Sequence, residues 1–251
     1  MPDRSDTVYL SKSKFLNGLQ CPKLLWTHYN KRELVPEPDP AQQAIFDMGH
    51  VVGDLAKQLY HGGVEVPLTT GPDALDLTIT ATRDLMKRRV PIFEASFLED
   101  GRYCRVDVLV PMPGPDGDPR SGDDSEQTWD LVEVKSSTKV KDVNIHDVAF
   151  QYDTLTRAGV DLNRLYVMHI DNAYTRGRTF DVNLFFHLED VTERAMALKD
   201  YVPKAVDNFF DVVDGSDPDT PIGPRCNKPY PCPLIPHCWG QLPDDNVTQL
   251  Y

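Results

Sequence analysis

Apolar residues recur along the chain with two different periods, and each period predicts a different kind of element. In the first 90 residues, apolar side chains return every three or four positions, which is the spacing of one face of a helix. This spacing predicts helices over residues 11–29, 41–60 and 72–89. Cys21-Pro22 interrupts the first of these, because proline suits the first position of a new helix.

From residue 91 onward the period changes to two, which is typical of strands with one buried face. A β-hairpin is predicted over residues 91–110 with its turn at 99–101, and a third strand over 129–137. Residues 111–127 between them are acidic and rich in proline and glycine, which predicts a solvated loop. The remaining predicted elements are a helix over 146–158, a strand over 164–170 and a helix over 191–211. Strands framed by helices predict an α/β fold.

The composition is that of a globular protein and limits the classes that need to be considered. The 251 residues are 40% hydrophobic, no apolar run approaches the roughly 20 residues of a membrane-spanning helix, and the N-terminus lacks an apolar signal segment. We therefore expect a cytoplasmic protein with no membrane partner. The net charge of −13 argues against nonspecific binding of nucleic acid, although the residues around Cys21 are basic.

Four of the five cysteines are placed to share one metal centre. Three are closely spaced near the C-terminus, and one lies near the N-terminus: Cys226, Cys232, Cys238 and Cys21. Clustered cysteines in a reducing compartment bind metal more often than they form disulfides. The pattern predicts that the two ends of the chain meet, and its spacing fits either zinc or a [4Fe–4S] cluster. Cys104 alternates with valines, which predicts a buried side chain.

Two predicted strands carry a second set of chemically active residues. Glu133 and Lys135 lie on the same face of their strand, about 7 Å apart, and Asp107 projects from the polar face of the preceding strand. Pairing the strands would bring Asp107 next to Glu133, and two close carboxylates repel each other unless a cation lies between them. Oxygen ligands suit Mg²⁺ or Mn²⁺, and a lysine beside such an ion can orient water or stabilise a phosphate. The alternative is an exposed ion pair without function.

Asp107 followed by Glu133-Val134-Lys135 resembles the active site of PD-(D/E)XK nucleases. Gln151-Tyr152 in the following helix is similar to the glutamine-and-tyrosine motif of their RecB-like branch, although three residues usually separate the two. The resemblance implies a restriction-endonuclease-like core, with a central mixed sheet flanked by helices. It also implies catalytic roles for Asp107, Glu133, Lys135 and Gln151.

With the cysteines included, the chain resembles RecB-like nucleases that carry an iron–sulfur cluster, such as the CRISPR-associated adaptation exonucleases and the AddB nuclease domain. In that group one cysteine precedes the core and three follow it, and the first gap between the late cysteines is commonly two residues rather than the five found here. The resemblance implies that Cys21, Cys226, Cys232 and Cys238 hold a [4Fe–4S] cluster. It implies that Mg²⁺ or Mn²⁺ is bound by His50, Asp107, Glu133 and the carbonyl group of Val134.

These observations together predict a single nuclease domain over residues 1–251. Residues 1–90 would form a helical part with Cys21 and His50, 91–170 the catalytic core, and 171–251 a C-terminal helix and an iron–sulfur clasp joining the two terminal regions. The expected protein is a metal-dependent DNA nuclease, namely an exonuclease, that hydrolyses phosphodiester bonds of single-stranded or unwound DNA. The expected settings are DNA repair, recombination or CRISPR adaptation. A helicase or CRISPR integration proteins are the implied partners.

Two other functions remain open at this point. One is a non-catalytic module, held together by the iron–sulfur cluster, that binds DNA or docks on a helicase or an integration complex. The other is an enzyme with a structural zinc site that acts on a different phosphoester.

Overall fold

A mixed β-sheet forms the centre of the larger of two compact units in the computed structural model, which describes residues 8–71, 73–114, 117, 127–243 and 245–246. The larger unit comprises Met1–Lys12 and Pro40–Val202, and the smaller comprises Ser13–Asp39 and Pro203–Tyr251. The predicted single domain over residues 1–251 stays a prediction. Most of the predicted loop over 111–127 lies outside the described residues.

The sheet contains seven strands in the described part of the chain, in the order β2-β3-β4-β5-β6-β7 with β1 paired to β4. Their bounds are β1 Leu10–Ser11, β2 Val64–Glu65, β3 Ile92–Glu99, β4 Arg102–Pro111, β5 Trp129–Lys135, β6 Leu162–Ile170 and β7 Phe186–Asp190. The pairs β3–β4, β4–β5 and β6–β7 are antiparallel. The pairs β1–β4, β2–β3 and β5–β6 are parallel. The predicted α/β fold with a mixed sheet is confirmed.

The predicted hairpin is the pair β3–β4, and its turn places Asp100 and Gly101 at positive φ, 46° and 72°. Glycine takes this left-handed conformation without steric cost. Strand β7 is absent from the prediction made from sequence. All five of its residues are half-buried or exposed, so the apolar alternation that marks a buried strand is missing.

Strands β1 and β5 lie along the same edge of β4. Strand β3 occupies the other edge over Arg102–Leu109, while β1 pairs at Arg102 and Tyr103 and β5 pairs at Val108 to Pro111. The middle of β4, which includes Asp107, therefore lies between the ends of two neighbours. Lys12 follows directly after β1, and Lys135 ends β5.

Helices of the larger unit cover the sheet: α3 Pro40–Lys57, α4 Ala74–Lys87, α5 Asp142–Arg157, α6 Val182–Phe185 and α7 Thr192–Met196. Ala56 of α3 packs into an apolar cluster with four sheet residues, Phe93, Val108, Val132 and Met168. Helix α5 connects β5 to the parallel strand β6. This crossover places its side chains beside Glu133 and Lys135 of β5.

The predicted helix over 191–211 is instead two helices, α7 and α8 Tyr201–Asp214. Pro203 lies in the first turn of α8, where its missing N–H leaves no helical bond unmade. A helix continuing from α7 would place that proline in its interior, which explains the break.

The smaller unit is built from α1 Lys12–Gln20 from Ser13 onward, α2 Pro22–Asn30, α8 from Pro203 onward and α9 Ile235–Trp239, with 3₁₀ turns at Arg32–Leu34 and Pro224–Asn227. The predicted break at Cys21-Pro22 is confirmed. The rings of Phe15 and Phe209 pack 5.8 Å apart. Trp26 Nε1 donates to the Gly215 carbonyl at 2.9 Å. Segments from both ends of the chain therefore share one core.

In the part of the chain that the structure describes, no helix is both long enough and apolar enough to cross a membrane.

Candidate active site and cysteine cluster

Asp107, Glu133 and Lys135 lie together where β4 and β5 pair. The register sets Val108 opposite Val132, so Asp107 and Glu133 follow as neighbours. The backbone N–H of Val134 donates to Asp107 Oδ2 at 2.7 Å, and Lys135 Nζ lies 2.5 Å from Glu133 Oε1. Glu133 is only 2% exposed. The alternative of an exposed ion pair does not describe this arrangement, because its central carboxylate is buried.

Helix α5 adds Gln151 and Asp147 to this group. Gln151 Nε2 donates to Glu133 Oε2 at 2.7 Å and to Asp147 Oδ1 at 3.1 Å, while Lys135 Nζ lies 2.8 Å from Asp147 Oδ2. The side chain of Gln151 is fully buried, and its Oε1 atom has no hydrogen-bond partner among the described residues. A buried acceptor atom without a hydrogen-bond partner costs free energy and is therefore rare. Such an atom is typical of a site that receives another group.

Lys12 completes the group from the end of β1. Its Nζ atom lies 3.0 Å from Glu133 Oε2 and 4.0 Å from Asp107 Oδ1. We refer to Asp107, Glu133, Asp147, Lys12 and Lys135 as the acid–lysine cluster. Sequence reasoning missed Lys12 and Asp147. Asp147 could have been found, because it lies four residues before Gln151 and shares its helical face. Lys12 gave no comparable signal.

The cluster contains three carboxylates and two ammonium groups, so one negative charge is in excess when all five are ionised. Burial, followed by the charge of Glu133, raises the pKa of Asp107 to about 7. Burial also opposes ionisation of Glu133, but Lys12 and Lys135 outweigh it and hold the pKa of Glu133 below its usual range. The proton that cancels this excess charge below about pH 7 therefore resides on Asp107.

Burial lowers the pKa of each lysine, but the surrounding carboxylates outweigh this effect and raise both. Asp147 and Glu133 raise the pKa of Lys135. Glu133, Asp147 and Asp107 raise that of Lys12. Both ammonium groups therefore stay charged at neutral pH.

The raised pKa of Asp107 predicts a pH dependence of stability in the metal-free protein. The native state holds the Asp107 proton up to about pH 7, whereas the unfolded state releases it near its ordinary pKa of 3.8. This contribution to the free energy of unfolding is complete below pH 3.8 and is lost as pH rises towards about 7. In EDTA, the melting temperature of wild type should therefore fall between about pH 5 and about pH 8 more steeply than that of Asp107→Asn, whose amide does not titrate.

The control for this measurement is Asp100→Asn. Asp100 is an exposed aspartate paired with Arg157 at 2.8 Å, and its variant should follow the wild-type curve. Parallel curves for wild type and Asp107→Asn would contradict the raised pKa.

A cavity of about 840 Å³ opens onto the acid–lysine cluster. Asp107, Glu133, Val134 and Lys135 line it, and so does His50 of α3. The side chain of His50 is exposed. In the structure as described, no three or more His, Cys, Asp or Glu side chains are placed to hold a metal ion. His50, Asp107 and Glu133 thus share a cavity without forming a closed set of ligands. Three exposed apolar residues also line this cavity: Ile45, Phe46 and Leu68.

The donor atoms at the base of this cavity fit a divalent ion of the magnesium type. Asp107 and Glu133 supply hard carboxylate oxygens, the cluster carries excess negative charge when all its groups are ionised, and the neighbouring Gln151 has an unpaired acceptor atom, Oε1. Each property suits a hydrated cation better than a soft metal.

The four cysteines predicted to share a metal lie together in the smaller unit. Cys226 and Cys232 are buried, and the half-buried Cys21 and Cys238 pack against them. All four are free thiols that line one cavity of about 20 Å³. Burial raises the pKa of Cys232 to about 11, and the other three thiols add to this effect. Cys104 lies apart in β4, where it is buried as predicted, and burial raises its pKa to about 12.

Four converging thiols form a soft donor set, which suits zinc or an iron–sulfur cluster. Neither a carboxylate nor a histidine lines this cavity among the described residues. Metal binding would release the thiol protons, because thiolates are the ligands. The donor chemistry therefore suits either centre, although among the described residues the four thiols are not placed as a ready set of ligands.

The fold and the two sites define an α/β protein with an acidic, lysine-containing cleft and a separate group of four thiols. No protein-family model matches the chain, and no curated protein matches it. Among solved structures, the chain is similar to an alkaline exonuclease from Laribacter hongkongensis. The two share 13% identity and a TM-score of 0.36, over 82% of this chain and 88% of the other. Similarity at that level does not assign a family.

Proposed function

We propose that this protein is a metal-dependent deoxyribonuclease of the PD-(D/E)XK type that acts on single-stranded or unwound DNA. The observation that carries the proposal is the convergence of Asp107, Glu133 and Lys135 at the base of an open cavity. A buried carboxylate, Glu133, beside the half-buried Asp107 and an adjacent lysine suits metal-assisted phosphodiester hydrolysis.

His50, Asp107, Glu133 and the carbonyl group of Val134 would hold Mg²⁺ or Mn²⁺. When bound, the ion supplies charge neutralisation at the phosphate and lowers the pKa of water. Lys135 orients the attacking water and stabilises the negative charge that develops on the phosphate oxygens. Its position is set by Glu133 and Asp147, at 2.5 and 2.8 Å. Gln151 fixes the Glu133 carboxylate through its 2.7 Å hydrogen bond.

The preference for single strands is supported by the apolar residues of the cavity. Phe46 is 52% exposed and Leu68 is 79% exposed. Unpaired bases stack on exposed aromatic rings regardless of their sequence, whereas bases inside a duplex do not present their faces. A strand whose phosphate reaches Glu133 would bring its bases to these side chains.

The cysteines are proposed to hold a [4Fe–4S] cluster with a structural role, and zinc is the alternative. Support comes from the convergence of Cys21 with Cys226, Cys232 and Cys238 in a proline-rich region. A helicase or CRISPR integration proteins remain proposed partners, and DNA repair, recombination or CRISPR adaptation remain the proposed settings.

The proposed activity is tested with end-labelled oligonucleotides of one sequence, offered as single-stranded DNA, blunt duplex and RNA. With Mn²⁺ we expect single-stranded DNA to be shortened at least about tenfold faster than the duplex, since only unpaired bases reach the apolar residues. EDTA should abolish the reaction. Binding of DNA without cleavage in Mn²⁺, Mg²⁺ and Co²⁺ would contradict the proposal and would support the non-catalytic module.

A further inference from the structure

Lys12 reaches the acid–lysine cluster through an unusual local topology. Strand β1 is only two residues long, and it pairs with β4 on the edge that β5 also uses. Because β1 runs parallel to β4 and β5 runs antiparallel to it, the carboxyl ends of β1 and β5 point towards each other. Lys12 follows one end and Lys135 forms the other. The fold thus brings two lysines to Glu133 from opposite directions.

The contacts of the two lysines are different. Lys135 Nζ bridges Glu133 Oε1 and Asp147 Oδ2. Lys12 Nζ instead approaches Glu133 Oε2 at 3.0 Å and Asp107 Oδ1 at 4.0 Å. Asp107 and Glu133 are the carboxylates proposed to hold the divalent ion. The Lys12 ammonium therefore lies beside the oxygens that this ion would need.

An ammonium group and a divalent ion cannot both occupy that place. The ion binds carboxylate oxygens at about 2.0–2.2 Å, and the repulsion between the two cations grows as their separation falls. Glu133 Oε2 already accepts from Lys12 and Gln151, so coordination of that oxygen requires Lys12 to move away. The side chain of Lys12 is 21% exposed, which leaves it a path towards the solvent.

We propose that Lys12 is a positioning residue that acts as a placeholder cation: its ammonium holds Asp107 and Glu133 together in the metal-free protein and is displaced when the divalent ion binds. This inference rests on the proposed function, because it takes Asp107 and Glu133 as ligands. Two consequences follow. Lys12 weakens the affinity for the ion, and it stabilises the protein when the ion is absent.

The test compares wild type with Lys12→Met, which keeps the length of the side chain and removes its charge. Titration with Mn²⁺, followed by electron paramagnetic resonance of the free ion, should show at least about tenfold tighter binding by Lys12→Met, since a competing cation has been removed. The melting temperature in EDTA should be lower than that of wild type, because one of the two ammonium groups that offset the repulsion between the carboxylates is then missing.

Lys87→Met is the control for this variant. Lys87 of α4 is paired with one carboxylate, Asp84, at 2.7 Å and does not line the cavity. Its removal should leave the Mn²⁺ affinity unchanged. Adding Glu133→Gln to Lys12→Met should abolish the tight binding, which assigns that binding to the cluster.

A second measurement uses wild type alone and does not depend on the folding of a variant. Acetic anhydride modifies exposed lysines, and mass spectrometry reports the modified fraction at each position. Mn²⁺ should increase the modification of Lys12 several-fold, because the displaced ammonium enters solvent, and should leave Lys87, outside the cavity, unchanged.

The possible outcomes separate this inference from the proposed function. Mn²⁺ affinity that is unchanged or weaker in Lys12→Met, or Lys12 labelling that Mn²⁺ does not raise, overturns the placeholder role and leaves the nuclease proposal standing. Failure of every variant and of wild type to bind Mn²⁺ overturns both. Tighter binding by Lys12→Met together with increased labelling of Lys12 supports both.

Discussion

Lys135→Met is expected to lower the rate of DNA hydrolysis by about a hundredfold to a thousandfold, which is the usual cost of removing one group that stabilises transition-state charge. Lys135 Nζ contacts both Glu133 and Asp147, so the substitution also removes the cation between them. The measurement is the initial rate on single-stranded DNA at saturating Mn²⁺. The affinity for DNA, measured in Ca²⁺, should change by less than about threefold, because the lysine is proposed to act on the reacting phosphate.

Lys87→Met is the control for loss of a lysine elsewhere on the protein. Lys87 is exposed and paired with Asp84 at 2.7 Å, and its variant should degrade DNA at the wild-type rate. Glu133→Gln should match the defect of Lys135→Met. Equal rates for wild type and Lys135→Met would remove the proposed mechanism, even if the protein still binds DNA.

Cys226→Ser is expected to remove the metal centre and to destabilise the smaller unit. Anaerobically purified wild type should show broad absorbance at about 400 nm, with about four iron atoms per chain. The variant should lose both. Its melting temperature should fall by at least about 10 °C, because the free energy of binding a structural metal centre is free energy of folding. Cys226 is buried among the other three thiols, so a single change disrupts the whole set.

Cys104→Ala is the matched control for the cysteine series. Cys104 is also buried but lies in β4, apart from the four thiols. Its variant should keep the absorbance and the iron content, and should lose only the stability of a small buried side chain. Colourless wild type with one zinc ion per chain would contradict the cluster and support a zinc centre.

The convergence of Asp107 and Glu133 was predictable from sequence because strands repeat every two residues. Once the hairpin and the next strand were placed, pairing in register set the two carboxylates side by side. The group of four cysteines was predictable for a different reason. The proline-rich C-terminal segment has no hydrophobic period that would predict a packed helix or strand. Its three closely spaced cysteines therefore indicated a shared metal centre as the feature that could hold the segment in place.

Lys12 could not be predicted because its position depends on a two-residue strand. So short a segment has no measurable period, and its partner, β4, is nearly a hundred positions away in sequence. The break between α7 and α8 depends on a single proline in a segment whose apolar spacing otherwise favours one helix. The position of Lys12 depends on the pairing of distant strands, and the helix break depends on the backbone chemistry of one proline. A hydrophobic pattern reports neither.

The most direct test of the acid–lysine cluster as a metal site is anomalous diffraction from crystals soaked in Mn²⁺. We predict a single strong peak within about 2.3 Å of carboxylate oxygens of both Asp107 and Glu133, with the Lys12 ammonium moved away from Glu133 Oε2. Absence of a peak, with the side chains of Asp107, Glu133 and Lys135 turned apart, would contradict the account.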